Sequence, residues 1–300
     1  MLSIRHLAFF EVARQKSFSR AGEELFISQP SVSAHIKALE EQYKTQLFER
    51  NGIQIELTAA GKLLYKRLQE VKRIQEDTEF SLSVLHGKEE ASGQLSLGAS
   101  TTAALYILPK VLSAFHKEFP KVDVSLLNRN SEIVLEALLN KEINLGVSEE
   151  KGKLTNITYQ PFLEDIIIPV CSAASPLARA KSYPLKAMLE MPIAIRERGS
   201  GTHEAVKRAL ARHKIKPEML HIKVRLGGTE ALKNFLLESG SLGFLSTRAI
   251  AKELQHGELK ALNFEGLRIE RTFYFMQRKG ESSQLNTQFI KMARRIYNLK

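Results

Sequence analysis

The 300-residue chain contains one cysteine, Cys171, and no tryptophan. A single cysteine excludes an intramolecular disulfide and a thiolate metal cage. Its surroundings, IIIPVCSA, favour a buried strand cysteine over a redox sensor. No apolar run reaches the roughly 18 to 20 residues that span a bilayer, and the N-terminus lacks the charge, apolar block and cleavage site of a signal peptide. We therefore expect a cytoplasmic protein with no membrane partner.

Catalytic signatures are also missing. We find no GxSxG elbow, Walker loop, HExxH pair or dinucleotide fingerprint. Three glutamates, Glu149, Glu150 and Glu204, stand in no matched acid–base pattern, and we expect them to be solvated. The sequence therefore predicts a protein that is not an enzyme and needs no metal or cofactor.

Positive charge is scarce where a nucleic-acid binder would use it. The net charge is +11, but residues 1–93 hold 13 basic and 13 acidic side chains, and residues 94–300 hold 31 and 20. The basic excess indicates either an anionic ligand of the later part or an irregular solvated surface.

The segment 17–50 predicts two short helices joined by a tight turn. Ser19 is the expected N-cap of the first helix and Ser28 of the second, with Pro30 in its first turn. Three residues at helical spacing form one buried stripe on the second helix: Val32, Ile36 and Leu39. This spacing is typical of a helix-turn-helix, whose second helix enters the DNA major groove.

Small polar residues lie off that stripe, at the start of the second helix. Glutamine pairs bidentately with adenine, serine donates or accepts, and an alanine methyl touches thymine. An ordinary helical hairpin with a solvated face is the alternative. The predicted DNA contacts are Ser28, Gln29, Pro30, Ser31, Ser33, Ala34 and Lys37, with Arg50 on phosphate.

A hairpin wing follows this pair of helices. Asn51-Gly52 is a turn signal, and Ile53, Ile55 and Leu57 alternate with polar residues as in a half-buried strand. Thr58 is the expected cap of the next helix. Arg50 is the only cation from residue 50 to 57, so the wing offers a single basic side chain to phosphate.

The run SFSRAGEELFISQPSVSAHIKALEEQYKTQLFERNGIQIELTAAG resembles the winged helix-turn-helix of LysR-type transcriptional regulators. The resemblance is dense to about residue 80 and looser beyond. It implies a DNA-binding domain, a dimer-forming linker helix, and a two-lobed α/β effector domain that shares the fold of periplasmic binding proteins. It also implies double-stranded DNA and RNA polymerase as partners.

Residues 58–87 predict one long helix with a heptad seam. The seam consists of Leu64, Leu68, Val71, Gln75, Thr78, Leu82 and Leu85. Because this apolar stripe is narrow and interrupted, we expect the helix to pack against the same helix of a second chain. We expect a homodimer, and a tetramer on DNA, reading an interrupted inverted repeat.

Alternating strand and helix patterns begin at residue 94 and predict parallel sheet with crossover helices. The expected domains are 1–58 (winged helix-turn-helix), 59–87 (linker helix), 88–93 (hinge) and 94–300 (effector domain). Lobe I of the effector domain takes about 94–162 and 267–300, and lobe II about 163–266.

Hydroxyl-bearing residues follow three of the predicted strands, where open α/β sheets bind ligands. Helix-start N–H groups and hydroxyls together favour a small anion, although each residue could be a plain helix cap. The predicted effector contacts are Ser100, Thr101, Thr102, Ser148, Arg196, Gly199, Ser200 and Thr202, with Arg198 also near the loop.

Two segments, ASTTAALYILP and RERGSGTHEAV, are similar to regulators of sulfur assimilation and of carbon fixation. This similarity implies a sulfur oxyanion, sulfite or sulfate, as the effector. An organic acid or carbon-metabolism intermediate is the alternative within the same class. A solute-binding protein without a DNA-regulatory role is the alternative from another class.

Overall fold

The computed structural model describes residues 2–51, 54–149, 152, 154–281 and 283–299. The chain divides into two compact units, Met1–Leu82 and Ser83–Lys300, and each is described by itself. The division falls inside the long helix that the sequence treats as a linker. Among the described residues, no helix combines the length and the apolar character needed to cross a membrane.

The N-terminal unit contains three helices, a hairpin and most of a fourth helix. They are α1 Ile4–Gln15, α2 Phe18–Leu25, α3 Gln29–Tyr43, β1 Phe48–Asn51, β2 Gln54–Leu57 and α4 Ala59–Leu85. Their core includes the predicted stripe, Val32, Ile36 and Leu39, against Phe9 and Val12 of α1. The stripe is therefore confirmed, and it leaves the opposite face of α3 to solvent.

The predicted N-cap is wrong for α2 and correct for α3. Ser17, not Ser19, caps α2: its backbone is extended and its Oγ accepts the N–H of Arg20 at 3.3 Å. Ser19 already lies inside the first turn, where its backbone is helical. Ser28 caps α3 as expected, since its Oγ accepts the N–H of Ser31 at 3.3 Å.

The wing is a two-stranded antiparallel hairpin fastened to α3. Asn51 pairs with Gln54, so Asn51 belongs to the strand rather than to the turn centre expected at Asn51-Gly52; residues 52 and 53 lie outside the described part of the chain. The Glu40 carboxylate accepts the N–H of Leu47 at 2.7 Å. Thr58 caps α4 as predicted, accepting the N–H of Gly61 at 3.0 Å.

The seam of α4 has two different parts. Leu64 and Leu68 pack into the core of their own unit, so they are not free for a second copy. Val71, Leu82 and Leu85 are 42%, 55% and 79% exposed. An uncovered apolar stripe therefore remains on the second half of the helix.

The C-terminal unit alternates strands and helices as the sequence predicts. Its elements are β3 Ser92–Ser100, α5 Thr101–Tyr106, α6 Leu108–Glu118, β4 Lys121–Arg129, α7 Ser131–Leu139, β5 Leu145–Ser148, β6 Ile157–Ser172, β7 Ile193–Arg196, α8 Gly201–Arg212, β8 Ile222–Leu226, α9 Thr229–Glu238, β9 Gly243–Ser246, α10 Ala251–His256, β10 Leu259–Ala261, β11 Ile269–Arg278 and α11 Gln284–Ile296. Cys171 is buried in β6, as expected of a strand cysteine.

Two long antiparallel strands, β6 and β11, join the lobes. The seven-stranded sheet has the order β10-β6-β11-β5-β3-β4, with β9 also on β6. The expected parallel pairing occurs between β3, β4 and β5 and between β7 and β8, whereas every pairing of β6 and β11 is antiparallel. Ile269 is buried in the lobe II core, so β11 returns to lobe I later than residue 267.

Residues 101–118 form two helices, α5 and α6, which are separated at Ile107. Pro109 has no N–H, so the carbonyl of Leu105 cannot be bonded in the usual helical way. At the same break, the Tyr297 hydroxyl donates to the carbonyl of Ile107 at 2.9 Å. α5 is therefore a separate short helix, which begins at the first predicted hydroxyl cluster.

Candidate functional site

The start of α3 presents the predicted polar side chains to solvent. Gln29, Pro30, Ala34 and Lys37 are exposed. Two serines are half-buried among them, Ser31 and Ser33. Arg50 lies in β1, and its side chain is outside the described part of the structure. Seven of the eight predicted DNA contacts therefore share one end of one helix.

Hydrogen bonds divide these residues into structural and free groups. The Ser28 hydroxyl is used by the helix cap and lies 2.8 Å from the Ser31 hydroxyl. Gln29 Nε2 donates to Ser33 Oγ at 2.9 Å. A glutamine amide has two N–H donors and one carbonyl acceptor. Among the described residues, the second N–H and the carbonyl of Gln29 have no partner; a glutamine amide pairs with adenine through one such donor and one acceptor.

A second polar centre lies between the two lobes, where three hydroxyls meet. Thr229 Oγ1 lies 2.9 Å from Thr101 Oγ1 and 3.3 Å from Thr102 Oγ1. It also accepts from Arg196 Nη1 at 2.9 Å. Thr101 and Thr102 begin α5 in lobe I, and Thr229 begins α9 in lobe II. Sequence reasoning missed Thr229, although its place at a helix start after a strand matches the pattern of the predicted residues.

Arg196 is buried and already neutralised. Its Nε and Nη2 donate to the two carboxylate oxygens of Glu197 at 2.7 and 2.9 Å. Burial opposes ionisation of Glu197, but the bonds from Arg196 outweigh it and lower the pKa of this carboxyl below its ordinary value. Arg198, the other predicted cation, is exposed.

The centre of the cleft floor is Arg271 on β11, which the sequence did not single out. Arg271 Nη1 contacts Glu149 Oε1 at 2.9 Å and donates to Thr202 Oγ1 at 2.9 Å. Its Nε donates to Asp165 Oδ2 at 2.7 Å. Both carboxylates are buried. The expectation that Glu149 is solvated is therefore wrong, because β5 carries it inward; Glu150 lies outside the described residues.

The glycine loop before α8 meets lobe I directly. Gly199 has φ +77°, and its carbonyl accepts the N–H of Glu132 at 3.2 Å. The N–H of Gly201 donates to Ser131 Oγ at 3.2 Å, and Ser131 donates to Glu149 Oε2 at 2.7 Å. The N–H group of Gly201, at the start of α8, thus has a protein partner in lobe I.

The remaining predicted effector residues have mixed roles. Ser100 caps α5, accepting the N–H of Ala103 at 3.5 Å, as the plain-cap alternative states. Ser200 is buried at the N-cap position of α8. In this part of the unit, Ser148 Oγ and Arg271 Nη2 are buried and have no hydrogen-bond partner among the described residues.

Carboxylates outnumber arginines in the buried part of the cleft. Its two buried arginines, Arg196 and Arg271, contact three carboxylates, those of Glu197, Glu149 and Asp165. The basic excess of residues 94–300 therefore lies elsewhere on the unit.

A helix-turn-helix with an exposed polar face on α3, and a separate two-lobed unit with a polar cleft, define a ligand-binding transcriptional regulator. Two family models match: "Bacterial regulatory helix-turn-helix protein, lysR family" over residues 4–62 and "LysR substrate binding domain" over residues 88–297. The chain belongs to the LysR family of transcriptional regulators, which are not enzymes. It binds DNA and carries an effector-binding domain.

Relatives with curated names agree with this family. The chain is 32% identical to the uncharacterized regulator YeiE of Escherichia coli over 91% of this chain and 90% of YeiE. It is 28% identical to the regulator CysL of Bacillus subtilis over 89% and 88%. It is also 28% identical to the activator CmpR of Synechocystis over 93% and 90%.

Solved structures share the fold. The regulatory domain of Synechocystis CcmR in complex with 2-PG is 27% identical, with a TM-score of 0.61 over 68% of this chain and 96% of that one. Full-length CbnR complexed with its target DNA has a TM-score of 0.64 at 20% identity over 98% and 99%. The match to the helix-turn-helix family removes the solute-binding and plain helical-hairpin alternatives.

Proposed function

We propose that the chain reads an interrupted inverted repeat in promoter DNA through the start of α3. The observation that carries this proposal is the Gln29 amide, held by Ser33 and left with one donor and one acceptor free. The predicted contacts are those given above, including Arg50 on phosphate. The exposed stripe on α4 supports dimerisation, and a tetramer on DNA with RNA polymerase as a further partner completes the proposal. We also propose that the protein acts in the cytoplasm, which suits a regulator of promoter DNA.

Gln29→Ala tests the reading function. We expect specific binding to weaken by about 1 to 3 kcal/mol and one base position to relax. Binding is measured by titrating duplexes that the wild-type chain enriches from a random library. Ser33→Ala, which removes only the support of the amide, is expected to give a smaller loss at the same base. An equal loss on unselected DNA would contradict base reading by Gln29.

For the effector, we propose a small anion in the cleft between the lobes, with sulfite or sulfate as the candidate. The hydroxyls of Thr102, Ser148 and Thr202 and the free N–H of Arg271 are the groups that suit an oxyanion. Similarity to CysL supports the sulfur assignment. Closure or rotation of the lobes around the anion would shift the population between two arrangements.

Glu149 adds a condition to this proposal. Its carboxylate contacts Arg271 and accepts a hydrogen bond from the Ser131 hydroxyl. The same hydroxyl accepts a hydrogen bond from the backbone N–H of Gly201 in lobe II. Two anions beside one arginine repel each other strongly in a buried site. An entering oxyanion must therefore displace Glu149 from Arg271, and this displacement would release the Ser131 link between the lobes.

Thermal shifts with sulfite, sulfate and nitrate test the effector. Thr102→Val is expected to abolish stabilisation by the effector anion, and Thr102→Ser to retain it. Glu149→Gln, which removes the competing charge, is expected to increase the affinity for that anion. Unchanged stabilisation of Thr102→Val by sulfite and sulfate would reject the pocket, and weaker binding by Glu149→Gln would reject the displacement.

A carbon-metabolism effector is the second candidate. Similarity to CmpR and to the CcmR regulatory domain in complex with 2-PG favours it. Adding 2-PG to the same thermal-shift series distinguishes the two candidates, because stabilisation by 2-PG alone would support the carbon branch.

A further inference from the structure

A second cavity lies against β6 and β11, the two strands that join the lobes. Its volume is about 440 Å³, which is within the range of small-molecule sites. Glu164 and Ile166 of β6 pair with Thr272 and Glu270 of β11, and all four residues line the cavity. Because successive side chains of a strand point to opposite sides, these four point away from the side chain of Arg271 on the cleft floor. Among the described residues that line this cavity, none is a predicted effector contact.

The cavity contains two opposite charges that do not pair with each other. Glu164 is exposed, and its carboxylate has no hydrogen-bond or ion-pair partner among the described residues. Arg248 follows β9, and its Nη2 donates to the backbone carbonyl of Glu164 at 3.3 Å. The guanidinium therefore lies beside the backbone of the same residue whose carboxylate it leaves free. An exposed ion pair contributes little stability, so keeping these two charges apart costs the fold little.

Arg248 is also only weakly neutralised by other groups. Within the described part of the chain, the one carboxylate close to it is that of Asp165, with Arg248 Nε 3.6 Å from Asp165 Oδ1. This distance is too long for a hydrogen bond. The two oxygens of Asp165 already accept from Ser246 Oγ and from Arg271 Nε, each at 2.7 Å. The guanidinium of Arg248 therefore retains N–H donors for another acceptor.

The other side chains of the cavity are paired, hydroxylic or apolar. Arg268 Nε donates to Glu270 Oε1 at 2.7 Å, so these two charges satisfy each other. Thr247 and Thr272 are half-buried and bring a hydroxyl each. Ile166 is 46% exposed and forms an uncovered apolar wall. A ligand in this cavity would thus meet one free anion, one weakly held cation, two hydroxyls and one apolar surface.

We infer that this cavity binds a free α-amino acid. The ammonium group of the ligand binds the carboxylate of Glu164, its carboxylate binds the guanidinium of Arg248, and its side chain packs on Ile166. A simple anion would be repelled by Glu164 and a simple cation by Arg248. A zwitterion satisfies both residues through charge-assisted hydrogen bonds, which are the strong ones. This site is different from the proposed anion site and does not depend on it.

Asp165 connects this cavity to the floor of the effector cleft. It lines the cavity, and it accepts from Arg271, whose Nη1 contacts Glu149. An amino acid that engages Arg248 draws this cation away from Asp165 and so changes the charge around Arg271. Two ligands that are coupled in this way change each other's affinity by the same factor. We therefore expect the amino acid to alter the affinity of the cleft for its effector; this consequence, unlike the site itself, rests on the proposed function.

Capped amino acids test the two charges separately. The full chain is titrated with each common amino acid, followed by thermal shift and calorimetry. The amino acid that binds most tightly is then compared with its N-acetyl derivative, which lacks the positive charge, and its amide, which lacks the negative charge. We expect each capped form to bind about tenfold more weakly, the effect of losing one charge-assisted hydrogen bond.

Two variants assign each charge to its residue. Glu164→Gln should weaken binding of the amino acid about tenfold, and the N-acetyl cap should then cause no further loss. Arg248→Gln should weaken it by a similar factor, and the amide cap should then cause no further loss. Glu258→Gln, which removes an exposed carboxylate outside the cavity, is the matched control and should bind as wild type. Thr102→Val, in the effector cleft, should also bind the amino acid as wild type.

Three results would overturn the inference. The first is that no common amino acid stabilises the wild-type chain. The second is that both capped forms bind as tightly as the free amino acid. The third is that binding survives in Glu164→Gln but is lost in Thr102→Val, which would place the amino acid in the effector cleft. If sulfite, sulfate and 2-PG all fail to bind while the amino acid binds as expected, only the proposed effector is rejected; if only the amino acid fails, the proposed effector stands.

Discussion

Thr229→Val is the sharpest test of the bonds across the cleft. Valine matches threonine in shape, so the substitution removes the hydroxyl without opening a cavity. The hydroxyl of Thr229 accepts from Arg196 at 2.9 Å and bonds to Thr101 at 2.9 Å across the lobes. Both Thr229 and Arg196 are nearly inaccessible to solvent, at 2% and 3% exposure.

The magnitude follows from these contacts. Leaving a buried donor of Arg196 without an acceptor costs about 1 to 3 kcal/mol, and losing a bond between the lobes costs about 0.5 to 1.5 kcal/mol more. We therefore expect Thr229→Val to lower the free energy of unfolding by about 2 to 4 kcal/mol. For a unit of this size that is a Tm decrease on the order of 5 to 10 °C.

Calorimetry and amide hydrogen exchange of the full chain measure this effect. Exchange should accelerate selectively in α5 and α9, the two helices that the hydroxyl joins. Thr229→Ser, which retains the hydroxyl, should stay within about 1 kcal/mol of wild type. If the valine and serine variants unfold at the same temperature, the hydroxyl does not hold the lobes together and the reasoning fails.

Three further predictions concern other parts of the chain. Gly61→Ala should lower stability by about 2 to 3 kcal/mol in urea titrations, because the added Cβ would overlap the Leu47 carbonyl oxygen; full stability would contradict this packing. The pKa of Glu118 is lowered from its ordinary value of 4.5, chiefly by the hydrogen bond that it accepts from Lys88. Ionised Glu118 therefore stabilises the fold above pH 4.5, and this stabilisation is lost as the pH falls through the lower pKa of the folded state. Glu118→Gln should flatten the decline in urea midpoint between about pH 5 and 3, and an unchanged slope would refute the assignment. Replacing Leu82 and Leu85 with lysine should dissociate the dimer in sedimentation experiments, and an intact dimer would place the interface elsewhere.

Local patterns decided much of the N-terminal unit. Ser28 caps α3 and Thr58 caps α4 because capping needs only a short polar side chain beside the first N–H groups. The stripe of α3 follows from helical spacing alone. Ser19 was the wrong cap because Ser17 lies two residues earlier with the same chemistry, and only the extended backbone of Ser17 distinguishes them.

Contacts between residues that are distant along the chain could not be predicted from local sequence patterns. Arg271 meets Glu149 and Asp165 across more than 100 residues of sequence, because β11 lies between β5 and β6 in the sheet. Thr229 joins Thr101 only because α5 and α9 come from different lobes. These pairings depend on strand order and on the crossover of β6 and β11, and local spacing carries no information about either.

The sequence by itself determined the caps and the buried stripe of the N-terminal unit, because these act over a few residues, and its resemblance to a known family gave the class of the protein. Only the tertiary structure decided the chemistry of the cleft. It brought carboxylates to both buried arginines and left Ser148 Oγ and Arg271 Nη2 without a partner among the described residues. The physical reason is that buried charges are neutralised by whatever groups the fold brings near, and that proximity is set by topology.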